Sequence, residues 1–243
     1  MNNLMYFVTT GWLQILLTAF VGYLLGSINF AIIITKMVDK KKDIREMGSG
    51  NAGFTNVLRS VGRGPAVFTI AFDFIKAVMA VAIAGIVCST IDIGNSILLG
   101  EFIVYGKYLA GLLCIAGHMF PVYFGFRGGK GVVTTAGLMV VADWRTFLVA
   151  LTIFAIVFLC TKIVSISSLI CAATYPVSTF LFTYLIDYRG ALGTEIAHSR
   201  SYVIISTLFT LLIGLCVIIK HSQNIKRLIN GTEKKITAKK ESK

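Results

Sequence analysis

Met1 through Thr35 contain no charged side chain, and six more apolar runs follow along the chain. A helix that crosses a bilayer needs about 20 apolar residues. A soluble domain carries about 25% charged residues; here the share is 14%, against 56% hydrophobic. These values imply an all-α integral membrane protein. A cleavable signal would place positive charge ahead of a shorter apolar core. None precedes the first run, which therefore reads as a retained helix.

The pattern predicts about seven transmembrane helices, over residues 11–36, 65–91, 103–123, 131–142, 145–161, 164–186 and 202–219. The second opens at Pro65, which suits a first helical turn. The fourth is short enough to be tilted or partial. Residues 48–61 form a short polar segment rather than a span. Residues 1–233 read as one polytopic domain, and residues 234–243 as a basic, flexible tail.

The net charge of +12 sits in short connections. Lys36, Lys40, Lys41, Lys42 and Arg45 follow the first span. Arg59 and Arg63, then Arg127 and Lys130, then Lys162, and finally the tail from Lys220 share the same side of the alternation. Asp92, Glu101, Asp143, Asp187 and Glu195 mark the other connections. Basic loops stay cytoplasmic, so the N-terminus is expected outside and the C-terminus inside. This asymmetry argues for no nucleic acid partner. Cys88, Cys114, Cys160, Cys171 and Cys216 lie within apolar runs without C-x-x-C or His spacing. They imply neither a disulfide nor a metal.

Four basic-side segments carry the distinctive polar residues. Residues 48–53 fit G-x-G-x-x-G formally, but a dinucleotide site needs a strand before it and a βαβ unit around it. A tight glycine turn opening a short helix near Asn51 fits better, because helix N-termini attract anions. Ser49, Asn51, Thr55 and Asn56 add neutral donors, and Arg45 and Arg59 add charge suited to phosphate. A solvated loop with a capped helix is the plainer alternative.

Phe126, Arg127, Gly128, Gly129, Lys130 and Gly131 form the second segment. It is not a Walker A loop, since Phe124 and Gly131 stand where glycine and Ser or Thr are required. No ATP, Mg²⁺ or other cofactor follows. The glycine amides could form an anion-binding nest beside Lys130, or the segment could be an interfacial turn with snorkelling cations. His118 lies inside the membrane boundary, as a helix–helix hydrogen-bonding residue or as a site residue. Asp73 and Lys76 are one turn apart and read first as an internal ion pair. Ser165, Ser167 and Ser168 open the sixth span, either as caps or as site residues. His221 and Asn224 share a face after the seventh span. There they could serve proton transfer or simply meet anionic lipid.

Together these stretches resemble the PlsY family of bacterial glycerol-3-phosphate acyltransferases, which use acyl phosphate as donor. The matching residues are Gly26 to Ile28, Asp43 to Asn56, Asp73 with Lys76, Gly117, His118, Phe120, Pro121, Gly128 to Thr134, Val164, Ser165, and His221 to Glu233. The resemblance implies a multi-pass enzyme of the bacterial inner membrane with a cytoplasmic active site. It implies acyl transfer from acyl phosphate to the sn-1 hydroxyl of glycerol 3-phosphate, giving lysophosphatidate and phosphate for phospholipid biosynthesis. It also implies a functional link to the enzyme that makes acyl phosphate. A monomer surrounded by membrane lipid is expected.

Carried over by position, the resemblance makes Lys130, Arg59, His221 and Asn224 catalytic. It makes Ser49, Asn51, Thr55, Arg45, Gly128, Gly129, Gly131 and Ser165 substrate-binding, and Glu233 structural. Departures are Asn29 and Ala52, where relatives have proline, Phe54 in place of alanine, and extra residues at 187–201 and after Glu233. An acyl phosphate is a mixed anhydride with a good leaving group, so direct transfer needs mainly alignment and charge screening. The base is His221 or the leaving phosphate, with the phosphate favoured because no carboxylate is placed to orient the histidine. A transporter or flippase of an anionic lipid, or a phosphotransferase on a lipid carrier, would share the composition.

Overall fold

The computed structural model describes residues 3–194 and 197–236; Glu195 and residues 237–243 of the basic tail lie outside them. The described residues form eleven α-helices. These are α1 (Asn3–Thr10), α2 (Trp12–Ser27), α3 (Phe30–Val38), α4 (Phe54–Ser60), α5 (Arg63–Ser89), α6 (Ser96–Met119), α7 (Val132–Ala142), α8 (Trp144–Thr161), α9 (Val164–Phe182), α10 (Arg200–Lys220) and α11 (Ser222–Ile229). A π-helical stretch, Thr183–Gly190, prolongs α9.

Six stretches among the described residues are long and apolar enough to cross a membrane, with α2 and α3 counted as one. Helix α7, with 11 residues, is shorter. Large apolar side chains such as Phe20, Phe68, Ile86, Leu159 and Ile219 cover the outside. Buried positions instead include Thr18, Ser27, Thr35, Thr69, Ser167 and Ser206. They lie among buried apolar residues such as Tyr108, Leu138 and Ile213, and this bundle, apolar outside as well as inside, suits solvation by hydrocarbon, where association rests on close packing and internal hydrogen bonds. Gly26 of α2 lies against the Cys114 backbone of α6, and Gly117 of α6 against Tyr23 and Ser27. A β-carbon at either glycine would overlap those backbones, so the two helices meet at main-chain contact.

Several expected boundaries shift for physical reasons. The first run is broken at Ile28 and Asn29. The Asn29 side chain accepts from Ile32 N at 3.2 Å and so starts α3 as a new helix. Helix α5 begins at Arg63, with Pro65 in its first turn. Helix α6 begins at Ser96, because Asn95 accepts from Leu98 N at 2.9 Å. Glu101, expected in a connection, is therefore helical and buried. It accepts from Ser199 N at 2.6 Å and Ser199 Oγ at 2.8 Å. The short helix expected near Asn51 starts at Phe54.

Contacts at the helix ends show that the legs alternate in direction. Gln14 of α2 meets Thr90 after α5, and Glu101 of α6 meets Ser199 before α10, at one end. Lys220 of α10 donates to Met119 O of α6 at the other. Helix α7 rises from that second end. Its C-terminal carbonyl at Val141 accepts from Lys107 Nζ at 3.3 Å, which supplies a donor to a helix that stops early. The turn after α7 is fixed by Asp143, whose carboxylate accepts from Arg145 N at 3.0 Å.

Candidate active site

The polar segments converge at the end shared by α6 and α10. The stretch before α4 folds around Asn56, which is buried and bonded in three directions. Its amide donates to Ile44 O at 3.0 Å and Met47 O at 2.8 Å, and its oxygen accepts from Ser49 N at 3.0 Å. Gly48 has φ +56°, and a β-carbon there would strike the Asn56 oxygen. The glycine turn is thus built around an asparagine, and Ser49, Asn51 and Thr55 border the cavity beside it.

The second glycine segment folds back on the last turn of α6. Gly128 N donates to Met119 O at 3.3 Å and Gly129 N to His118 O at 3.0 Å. These two amides satisfy helix-end carbonyls and are not free for an anion. A β-carbon on Gly129 would overlap the His118 ring and approach Ala52 O at 2.6 Å. Beneath this loop lies a buried charge cluster. Lys76 Nζ is 2.7 Å from Asp73 Oδ1, 3.0 Å from His118 Nδ1 and 2.6 Å from Ile28 O. That surrounds the ammonium with three partners and ties the break after α2 to α5 and α6.

On the opposite wall, Glu233 gathers three donors: Ser165 Oγ at 2.7 Å, Asn224 Nδ2 at 2.6 Å and Arg227 Nε at 2.6 Å. The Asn224 oxygen in turn accepts from Lys130 Nζ. Burial tends to raise the Glu233 carboxyl pKa, but the hydrogen bonds from Ser165, Arg227 and Asn224 outweigh it, and the net shift is downward. Burial lowers Lys130 to about 8, with the positive charges of Arg227 and Arg59 adding to the effect and Glu233 opposing it. Burial likewise lowers His221 to about 4. Its Nδ1 lies 2.8 Å from Val217 O, so Nδ1 holds the proton and Nε2 keeps a lone pair.

These walls enclose a cavity of about 710 Å³. Lys130, Arg59, His221, Asn224, Ser49, Asn51, Thr55, Gly131 and Ser165 border it. Gly128 and Gly129 support it from behind. Arg45 does not reach it: the guanidinium forks onto Asp43 at 2.7–3.1 Å and donates to Phe124 O at 2.6 Å. Hydrogen bonding to Asp43 outweighs burial and raises the Arg45 pKa. Arg227, Asp73 and His118 also border the cavity. Arg227 lies three residues after Asn224 on the same helix, a spacing that shares a face and is the sequence signal for it. Phe54 borders the cavity at the start of α4.

A second cavity of about 400 Å³, almost wholly apolar, shares Ile70, Val132, Val133, Phe154 and Ser168 with the first. It runs between α5, α7, α8, α9 and α10 past Ala136, Ala150 and Ala172. Leu151 on its border is exposed on the outer surface.

The sequence model described as glycerol-3-phosphate acyltransferase matches residues 16–231. The chain belongs to the PlsY family of glycerol-3-phosphate acyltransferases. Relatives described by that name include one from Clostridioides difficile, 37% identical over 93% of this chain and 97% of its own. Another, from Prochlorococcus marinus, is 39% identical over 91% and 97%. The crystal structure of PlsY (YgiH), an integral membrane glycerol 3-phosphate acyltransferase, in its glycerol 3-phosphate form superposes with a TM-score of 0.71. It is 31% identical to this chain and covers 92% of it and 96% of its own. The lysophosphatidic acid form gives a TM-score of 0.69 at 28% identity. This PlsY chain is accordingly an integral membrane glycerol-3-phosphate acyltransferase of phospholipid biosynthesis. Membership sets aside the transporter and phosphotransferase alternatives. Asn29 Nδ2 also donates to Ala52 O at 3.4 Å.

Proposed function

We propose that this enzyme takes its acyl group from acyl phosphate and delivers it directly to the sn-1 hydroxyl of glycerol 3-phosphate. The observation that carries this reading is that two unlike cavities lie side by side with a common wall, one rimmed by Arg59, Lys130 and Arg227, the other apolar. A donor with a phosphate head and a hydrocarbon chain fits across that junction, its carbonyl near the shared wall.

Lys130 and Arg59 hold the phosphates of donor and acceptor, with Ser49, Asn51 and Thr55 as neutral donors. Gly131, Val132 and Val133 at the start of α7 border the cavity, and helix-end amides suit anions. This assignment moves the anion contact from Gly128 and Gly129 to the start of α7. Arg45, Gly128 and Gly129 act as supports. Asn224 holds the Lys130 ammonium in place from the Glu233 anchor. As phosphate leaves, these cations take up its growing charge, where preorganised groups are most effective.

The hydroxyl proton goes to the leaving phosphate. His221, depressed to about 4, is too weak a base to take it and stays a neutral imidazole beside the acceptor. Ser165 donates its proton to Glu233 and has no part in a covalent ester. The short α7 completes seven crossings, with the N-terminus outside and the site facing the cytoplasm, in the bacterial inner membrane. The enzyme works as a monomer and receives donor from the enzyme that makes acyl phosphate.

The test is purified protein in detergent with labelled glycerol 3-phosphate and palmitoyl phosphate. Equal amounts of 1-acyl-glycerol 3-phosphate and phosphate are expected, with no acyl adduct on the protein by mass spectrometry. A trapped acyl-enzyme, or activity only with a thioester donor, would overturn the reading.

A further inference from the structure

The family match ends at residue 231, yet the chain continues along the edge of the phosphate cavity. Glu233 is anchored by Ser165, Asn224 and Arg227. One residue later, Lys234 O accepts from Arg59 Nη2 at 3.0 Å. Two residues further, Ile236 N donates to Lys162 O at 2.8 Å. Lys234 and Ile236 both border the cavity. The segment is therefore pinned to α4 on one side and to the turn between α8 and α9 on the other.

The two outer pins differ from the anchor. Glu233 is a carboxylate held by three side-chain donors, two of them uncharged. The Arg59 pin joins a guanidinium to a neutral carbonyl at an exposed position. A phosphate brings the opposite charge to such a guanidinium and can engage two N–H groups at once, where the carbonyl carries no net charge. An arriving phosphate thus competes for the same cation that holds the segment down.

We propose that residues 234–236 are a gate across the cavity, latched by Arg59 on the Lys234 carbonyl and released when a substrate phosphate takes that guanidinium. The gate rests on the reading of Arg59 as a phosphate ligand. Glu233 stays fixed and serves as the hinge point. Opening exposes the cavity to glycerol 3-phosphate, and reclosing follows the loss of inorganic phosphate.

Lys162→Cys with Ile236→Cys, in a Cys160→Ser background, tests the gate. The backbone bond between residues 162 and 236 brings their Cα atoms within disulfide reach, roughly 4.4–6.8 Å. Oxidation of substrate-free protein should cross-link the pair, and saturating glycerol 3-phosphate should slow that reaction. Cross-linked enzyme should lose about tenfold or more of its turnover, as expected when a lid is locked, and a phosphine reductant should restore it. No cross-link, a cross-linking rate indifferent to glycerol 3-phosphate, or a smaller loss overturns the proposal. Ile236→Pro removes one N–H pin by a separate route. It should lower KM for glycerol 3-phosphate by about twofold or more, because less protein is held in the closed state; an unchanged or raised KM sinks the gate. Reduced double variant that makes no lysophosphatidate from palmitoyl phosphate would fault the site reading instead.

Discussion

Arg145, at the end of the bundle away from the cavity, is gripped by two carboxylates: Asp143 at 2.9 Å and Asp187 at 2.7–2.8 Å. Around the cavity the ratio is reversed, since Arg59, Lys130 and Arg227 are grouped with Glu233. In the first cluster every strong donor already has its acceptor, so the cluster fastens helices. In the second, Glu233 pairs with Arg227, while Lys130 is held by the neutral Asn224 and Arg59 by the Lys234 carbonyl, so positive charge stays in surplus. An arginine matched by carboxylates is structural, and in the proposed function the same chemistry left unmatched receives anions. The Asp73, Lys76 and His118 cluster, balanced and buried, belongs with the first kind even though it borders the cavity.

Substitutions can break this comparison. Lys130→Ala should lower turnover by about a hundred- to a thousandfold, the cost of losing a preorganised charge, while the purified protein stays folded; near-normal activity would remove the cation from the site. Lys76→Met should act on stability instead. Removing one partner of a buried pair costs about 3–5 kcal/mol. The Asp73→Leu, Lys76→Met double substitution should be milder than the single one by thermal unfolding in detergent. A single change as harmless as the double would show the cluster to be idle. Arg145→Ala should cost about 1–3 kcal/mol of stability, since a half-buried pair is worth less than a fully buried one, and leave KM for glycerol 3-phosphate unchanged.

Acidity sharpens the comparison further. Lys130 lies near 8, so kcat/KM should fall above that pH as the free enzyme loses the charge. Bound phosphate favours the charged form, so the limb in kcat should lie higher. His221 is neutral in the fold down to about 4, so activity should show no inflection from it between pH 5 and 8. The unfolded chain takes up that proton near 6.5. The stabilising contribution is therefore complete above 6.5 and is lost as pH falls toward 4. The smallest expected effect is none: EDTA should leave the rate unchanged.

Much of the bundle was legible from apolar runs, because a helix in lipid must be continuous. Residues 131–142 and 145–161 lie within one residue of α7 and α8. The break at Ile28 and Asn29 was not legible, since nothing local distinguishes a capping asparagine inside an apolar run from an interior one. Glu101 looked like loop charge because its partner, Ser199, lies 98 residues away. At the site, residue types indicated phosphate chemistry, but not which donors remain free. Arg45 is committed to Asp43 and Phe124, and Gly128 and Gly129 are committed to the end of α6. Those commitments depend on long-range folding. The pinning of the tail by Arg59 is of the same kind.

Leu151, exposed on the border of the apolar cavity, marks its side toward the hydrocarbon that surrounds the bundle. Withdrawing a fatty tail into water costs roughly 0.8 kcal/mol per methylene, about 10 kcal/mol for a dozen. A tail seated in such a side door never meets that barrier. Loading and discharge become lateral diffusion in two dimensions, and only the small polar partner has to arrive from the third.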